Sequence, residues 1–201
     1  MNRPELYVLR HGETHWNREG RLQGALDSPL TDLGLAQARA MGAALREEGV
    51  SPATHGIWSS PQGRAIASTG AMFADLPRLD ARLVEIGMGQ WAGLTRAEID
   101  ARWPGDPDEE MFAFYARCPG GEALEAVWDR ASSFIADLTG PAVIVSHGIT
   151  CRFLRAAALG LGPQAAEAMP GGQGVIWHLA QGAARVIVPP GLPAQGRGLK
   201  P

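Results

Sequence analysis

The sequence has almost no lysine, only two cysteines and no long apolar run, and each shortage narrows the possible functions. Lys200, in the tail, is the only lysine among 18 basic residues, and no glycine-rich loop ends in Lys-Ser or Lys-Thr, which excludes a nucleotide-binding phosphate loop. Cys118 and Cys151 are too few for a disulfide framework. No stretch approaches the ~20 apolar residues that span a bilayer, and no signal-like segment opens the chain. We therefore expect a cytoplasmic protein with no membrane partner.

The overall charge is slightly negative, at −3 with a pI near 5.9, so nucleic acid is not an expected partner. An anionic ligand must then be held by a local cluster of cationic groups. The 201 residues suit one domain with a substantial core. We predict a single domain over residues 1–188 with a cap-like insertion around 95–121. The proline- and glycine-rich tail, residues 189–201, is predicted to be disordered.

Short apolar segments alternate with helix-like periodicity along the chain. This alternation predicts an α/β fold with a mostly parallel sheet covered on both faces. The expected strands are residues 6–9, 56–58, 142–145, 175–179 and 184–188, with another extended segment at 82–85. One expected helix begins at an N-cap on Thr31, and a second begins at an N-cap on Ser60. Two more are expected over residues 122–138 and 148–159.

Three of these strands lead directly into residues that can bind phosphate. His11 follows the first strand, Arg64 lies just past the second, and His147 ends a third. In parallel sheets, ligands collect beyond the carboxyl ends of the strands. We therefore predict that an arginine and two histidines meet at one edge of the sheet.

These residue types suit the transfer of a phosphoryl group. Arg10 and Arg64 supply forked donors for a phosphate dianion, and Arg64 would stand in the first turn of a helix. A neutral imidazole at His11 can attack phosphorus, and nearby arginines disfavour its protonated form. We expect His147 to stay charged and to offset the negative charge of the transferred group. Glu85 is the candidate that protonates the leaving oxygen and then activates water.

The same residues belong to a longer pattern that covers almost the whole chain. It resembles the histidine phosphatase superfamily, also called the phosphoglycerate mutase-like family. The opening block, Leu9-Arg-His-Gly-Glu-Thr14, is the most specific part of the resemblance. The blocks that follow in order are Trp16-Asn17, Arg21-Leu-Gln-Gly24, Asp27-Ser-Pro-Leu-Thr31, Ser59-Ser60 with Arg64, Leu83-Val-Glu85 with Gly89, Trp91 and Gly93, Gly121-Glu122 with Arg130, and Ser146-His-Gly148 with Arg152.

This resemblance implies a three-layer α/β/α sandwich of the phosphoglycerate mutase-like type, which uses no metal or other cofactor. His11 resembles the phosphorylated nucleophile and Glu85 the proton donor. The phosphate-binding residues that it implies are Arg10, Asn17, Gln23, Gly24, Arg64 and His147. The chain departs from the family pattern at Gln62, Ser68 and Ala123, where leucine, glutamine and serine are usual.

Three functions remain open at this point. The first is a phosphatase that acts on a small-molecule phosphate ester through a phosphohistidine intermediate. The second is a mutase that returns the phosphoryl group to its substrate, although residues 91–98 lack the substrate block of phosphoglycerate mutases. The third is a non-catalytic phosphate-binding protein. The candidate ligands are sugar phosphates, phosphorylated cofactor precursors, phosphoglycerates and nucleotides. The sequence does not determine the oligomeric state, and a homodimer is one of the options.

Overall fold

The computed structural model describes residues 4–191, and their strands form one sheet. The strands are β1 (Leu6–Arg10), β2 (Gly56–Ser59), β3 (Arg78–Leu79), β4 (Ala142–Ser146), β5 (Ile176–Ala180) and β6 (Ala183–Ile187). Their order across the sheet is β3-β2-β4-β1-β5-β6. The strands β3, β2, β4 and β1 run parallel to one another, whereas β5 and β6 are antiparallel to their neighbours. The prediction of a mostly parallel sheet is therefore confirmed.

Helices connect these strands and cover the sheet. They are α1 (His15–Arg18), α2 (Asp32–Glu47), α3 (Gly63–Met72), α4 (Arg96–Arg102), α5 (Met111–Ala116), α6 (Leu124–Asp137), α7 (Gly148–Ala158) and α8 (Ala165–Ala168). Thr31 is the N-cap of α2, as predicted, and its hydroxyl accepts a hydrogen bond from the amide of Gly34. No helix within residues 4–191 is both long and apolar enough to cross a membrane.

Alternate side chains of each central strand point to opposite faces of the sheet, and each face has its own core. Leu6 and Val8 of β1 pack with residues of α6 and α7. Tyr7 and Leu9 pack with residues of α2 and α3 on the other face. The protein is therefore the three-layer α/β/α sandwich that the resemblance implies.

The cap segment, residues 95–121, contains α4 and α5 and covers the same face as α6 and α7. Ile99 of α4 and Phe114 of α5 are buried in the core of that face. The ring of Phe114 lies 4.7 Å from that of Trp91, and the Arg117 guanidinium stacks 4.8 Å above Trp91. The two short helices of this segment are therefore anchored in the core.

Two local predictions are wrong. Residues 82–85 do not form a strand, because the Asp80 carboxylate accepts a hydrogen bond from the Arg82 amide and starts a 3₁₀ turn at Ala81–Leu83, after which Val84 is extended. Ser60 is not the N-cap of α3, which begins at Gly63 after the N-cap residue Gln62. The predicted disordered tail lies outside the described residues from 192 onward.

The loop after β1 lies against the first turn of α2 with no space for a side chain between them. A Cβ on Gly34 would lie 2.0 Å from the Glu13 carbonyl oxygen, and a Cβ on Gly12 would lie 2.2 Å from the Gly34 carbonyl oxygen. Both obstacles are backbone atoms, which cannot rotate away. The two glycines therefore permit a backbone contact that fixes the position of His11.

We expect Gly34→Ala to lower the free energy of unfolding by about 1–3 kcal/mol, because the new methyl group forces these backbones apart. Gly70→Ala is the matched control, since Gly70 also lies in a helix but has no atom within 4 Å of the point that a Cβ would occupy. That control should be neutral or stabilising by about 0.5–1 kcal/mol. Denaturant unfolding measures both; equal effects would contradict the close contact.

Candidate active site

A pocket of about 310 Å³ opens at the carboxyl ends of β1, β2 and β4. Its floor comes from the ends of these strands, and its outer wall includes residues from α5 and α7. The predicted site residues that line it are Arg10, His11, Asn17, Gln23, Gly24, Arg64 and Glu85. His147, the remaining predicted residue, is fully buried behind the pocket surface. Its ring centroid lies 5.2 Å from that of His11.

The orientation of His11 is set by its own backbone and by the loops around it. Its Nδ1 lies 2.7 Å from the Gly12 carbonyl oxygen, which can only accept a hydrogen bond. Nδ1 therefore carries the proton, and Nε2 is the unprotonated nitrogen. The amide of His11 donates to the Ser146 carbonyl oxygen of β4, and the Gln173 side chain donates to the His11 carbonyl oxygen.

The imidazole of His11 is only 2% exposed. Burial lowers the pKa of His11 well below its ordinary value, and the positive charges of Arg10 and Arg64 lower it further. The hydrogen bond to Gly12 opposes this shift but does not reverse it. The lowered pKa of His11 thus favours the uncharged ring that was expected beside the two arginines.

The two arginines differ in how their donors are used. Arg64 donates to the carbonyl oxygens of Leu26 and Gly24 and forms a 3.0 Å ion pair with Asp27. Its buried Nε has no hydrogen-bond partner among residues 4–191. The side chain of Arg10 donates no hydrogen bond to any described residue, and its Nε is also buried. Arg64 thus holds the 24–27 loop with part of its fork, whereas the whole Arg10 guanidinium is available to an anion.

His147 is held by a residue that the sequence analysis assigned to another role. Its Nε2 lies 2.8 Å from the Ser60 hydroxyl, whereas its buried Nδ1 has no partner in the described chain. Burial lowers the pKa of His147 well below its ordinary value, with further lowering by His11, Arg64 and other nearby cations. Burial among cations therefore favours the neutral ring in the free protein, and a charged His147 beside the transferred group stays a prediction.

Glu85 lies at the N-terminus of α7. Its Oε1 accepts hydrogen bonds from the amides of Ile149 and Thr150, each 3.2 Å long, and from the Thr150 hydroxyl. An ideal Cβ on Gly148 would lie 3.4 Å from Glu85 Oε2, so the absence of a side chain at Gly148 leaves that oxygen accessible. The helix N-terminus thus positions the carboxyl group at the pocket.

Two residues that depart from the family pattern form polar contacts inside the site. Gln62 donates to the Gly24 carbonyl oxygen at 2.7 Å and accepts from the Glu85 amide at 2.9 Å. Ser68 accepts from the Gly12 amide at 2.9 Å. Gln62 therefore ties the segment of Glu85 to the opposite side of the pocket, and Ser68 supports the loop of His11.

Gln173, which the sequence analysis missed, belongs to the polar rim of the pocket. Gln173 donates to Asn17 Oδ1 at 3.0 Å, and Asn17 in turn accepts from the Thr14 amide. Gln23 donates to the Thr14 hydroxyl, so it belongs to the same network. The only signal for Gln173 was its place in the run Gly171-Gly172-Gln173-Gly174, which indicates a close backbone approach.

Comparison with known proteins gives a consistent result. Residues 6–185 match the family model described as histidine phosphatase superfamily (branch 1). Phosphoserine phosphatase 1 of Hydrogenobacter thermophilus is 30% identical, over 78% of this chain and 77% of the relative. A probable phosphoglycerate mutase of Yersinia pestis is 35% identical, over 78% and 75%. The structure of a mycobacterial glucosyl-3-phosphoglycerate phosphatase complexed with VO3 has a TM-score of 0.77 at 32% identity, over 92% of this chain and 98% of that one.

The lowered pKa values of His11 and His147 predict a stability that depends on pH. In the unfolded chain both take up a proton below pH ~6.5, whereas the folded protein keeps them neutral. The two neutral histidines contribute their full stabilisation above pH ~6.5. Below that pH, each of them should lower the free energy of unfolding by about 1.4 kcal/mol for every pH unit. Denaturant unfolding from pH 7.5 to 5.5 measures this slope. A His147→Gln variant should lose the part of the slope that one histidine causes. An unchanged slope in this variant would contradict a neutral, buried His147.

Proposed function

The chain belongs to the histidine phosphatase superfamily, and we propose that it hydrolyses the phosphate ester of a small metabolite through a phosphorylated His11. One observation carries this proposal: a buried imidazole with an unprotonated Nε2 lines a pocket beside the unpaired guanidinium of Arg10. A neutral imidazole is a competent nucleophile for phosphorus, whereas imidazolium is not. Hydrolysis of phosphoric monoesters is also the activity that the family and its phosphatase-named relatives support.

In this proposal the phosphoryl group is bound by the cations and amides at the strand ends. Arg10 contributes its free fork, and Arg64 contributes Nε. The unpaired Nδ1 of His147 is suited to hold a proton once a dianion is bound nearby, because the anion raises the pKa of a neighbouring imidazole. Asn17, Gln23 and Gly24 would complete the rim around the ligand.

The reaction then proceeds in two balanced steps. His11 Nε2 forms a bond to phosphorus as the bond to the ester oxygen breaks, and the Glu85 carboxyl group gives its proton to that oxygen. Water next attacks the phosphorus of phosphohistidine, its proton returns to Glu85, and inorganic phosphate and neutral His11 are released. Each group ends in its starting protonation state, so no other reactant is needed.

Mutase activity is the competing outcome, because one relative is named a probable phosphoglycerate mutase. The two differ in the acceptor of the phosphoryl group, which is water in one and a second substrate hydroxyl in the other. We favour hydrolysis because the cap segment contributes only two short helices, α4 and α5. Incubation with 3-phosphoglycerate distinguishes them: a hydrolase releases inorganic phosphate, and a mutase forms the isomer.

We expect His11→Ala to abolish turnover of p-nitrophenyl phosphate, because no other unprotonated nitrogen occupies its place. His15→Ala is the matched control, since His15 is exposed on α1 and should keep the wild-type rate. Rapid quenching of wild-type protein under alkaline conditions should trap phosphohistidine, whose bond is labile in acid. Wild-type activity in His11→Ala would end the proposal.

The role of Glu85 predicts a dependence on the leaving group. Glu85→Gln should slow hydrolysis of an alkyl phosphate by about 10²- to 10⁴-fold, because a poor leaving group needs a proton. The same variant should slow p-nitrophenyl phosphate much less, since its phenolate departs without protonation. Steady-state rates on both substrates measure the difference, and an equal loss on both would assign Glu85 a merely structural role.

A further inference from the structure

One face of α7 forms a wall of the pocket and carries two arginines beyond the phosphoryl site. Arg152 and Arg155 follow Gly148 on this face, and all three line the pocket. Arg155 is only 3% exposed, which is unusual for an arginine. An arginine this deeply buried normally has a carboxylate partner.

Neither arginine forms an ion pair within residues 4–191. Arg155 donates from Nε to the Cys151 carbonyl oxygen at 3.1 Å and from Nη2 to the Pro170 carbonyl oxygen at 2.7 Å. Its Nη1 has no hydrogen-bond partner among the described residues. Arg152 donates from Nη1 to the carbonyl oxygens of Glu167 and Met169. None of these acceptors is a carboxylate, so neither charge is neutralised by a direct ion pair, although Glu167 and Glu85 attract Arg152 at longer range.

Apart from Arg10 of the phosphoryl site, the other arginines along the pocket are each paired with a carboxylate. Arg64 pairs with Asp27 at 3.0 Å, and Arg21 pairs with Glu98 at 3.1 Å. Arg96 pairs with two carboxylates of the cap segment, the nearer at 2.7 Å. An uncompensated charge in a buried position costs free energy unless an anion arrives. The wall of Arg152 and Arg155 is therefore arranged for an anionic part of the ligand.

We propose that Arg152 and Arg155 bind a carboxylate of the substrate, so that the chain acts on phosphorylated hydroxy acids. This inference rests on the proposed phosphatase function. Along α7, ~1.5 Å of rise per residue places the backbones of these arginines roughly 6 and 10 Å beyond Gly148, which adjoins Glu85. A small acid with its phosphate at Arg10 and its carboxylate on this wall fits a pocket of about 310 Å³.

A carboxylate is the anion that this wall suits best. The Arg155 Cζ lies over the Trp177 ring, 4.2 Å from its centroid, and together with the hydrogen bonds from Nε and Nη2 this contact holds the fork in one orientation. A planar fork held in one orientation matches a planar carboxylate in its own plane. Burial lowers the pKa of Arg155 to about 10, yet the group is still charged at neutral pH.

The test compares substrates that differ only in the second anion. 3-Phosphoglycerate and glycerol 3-phosphate differ by a carboxylate in place of a hydroxymethyl group. We expect kcat/KM to favour 3-phosphoglycerate by about 10- to 100-fold, mainly through KM, because the contact is remote from phosphorus. Fructose 1,6-bisphosphate against fructose 6-phosphate serves as the second arm. A preference for the bisphosphate without one for the acid would assign the wall to phosphate and overturn the proposal.

Substitution of the two arginines tests whether they cause the preference for 3-phosphoglycerate over glycerol 3-phosphate. Arg155→Met and Arg152→Met should each lower the ratio of the two kcat/KM values at least 5-fold. Arg155→Lys keeps the charge but not the fork, so it should lose less of the ratio and covers the case in which Arg155→Met does not fold. Arg96→Met is the matched control, because its charge is already neutralised, and its ratio should stay within 3-fold of wild type.

The outcomes separate this inference from the function on which it rests. Turnover of p-nitrophenyl phosphate with a wild-type ratio near one overturns the carboxylate site and leaves the phosphatase intact. Failure to hydrolyse any phosphate ester overturns the phosphatase instead. In that case calorimetric binding of 3-phosphoglycerate against glycerol 3-phosphate still decides the carboxylate site, since tighter binding of the acid in wild type but not in Arg155→Met would support it.

Discussion

The hydrogen bond from His11 Nδ1 to the Gly12 carbonyl oxygen determines how the rest of the pocket is used. It places the proton on one ring nitrogen, so the other has a free electron pair in a strongly cationic environment. That environment would otherwise be costly, but burial and nearby guanidinium groups both favour the uncharged ring. The loop that bears this bond is itself supported by Ser68 and Gln173. A single local contact thus turns a repulsive cluster of cations into a site for an anion.

Much of the fold and of the site was predictable because both depend on simple patterns. Alternation of apolar strands and amphipathic helices predicts a parallel sheet, and a parallel sheet brings its strand ends to one edge. That rule was sufficient to predict that His11, Arg64 and His147 meet at one edge of the sheet. The 6-residue block that begins at Leu9 and the later motifs then supplied the family, which the family model over residues 6–185 confirms. Glu85 followed from the resemblance more than from the pattern.

The remaining details depend on contacts between segments that are distant in sequence. In the sequence, Gln62 was only a departure from the family pattern without an explanation. In the structure, its side-chain amide links Gly24 to Glu85 across the pocket. The charge state of His147 depends on burial, which no local pattern reveals. Residues 82–85 were expected to be extended, but the hydrogen bond from the Arg82 amide to the Asp80 carboxylate starts a 3₁₀ turn at Ala81–Leu83 instead. In each case a tertiary contact decides between two locally acceptable conformations.

The close packing of Gly12 against Gly34 means that the contacts which hold the nucleophile differ from those that shape the outer wall of the pocket. The nucleophile is held by α2 and α3 on one face of the sheet, whereas α5 and α7 on the other face form the outer wall of the pocket. Substitutions in the wall can therefore change which molecule is accepted without disturbing the reactive nitrogen.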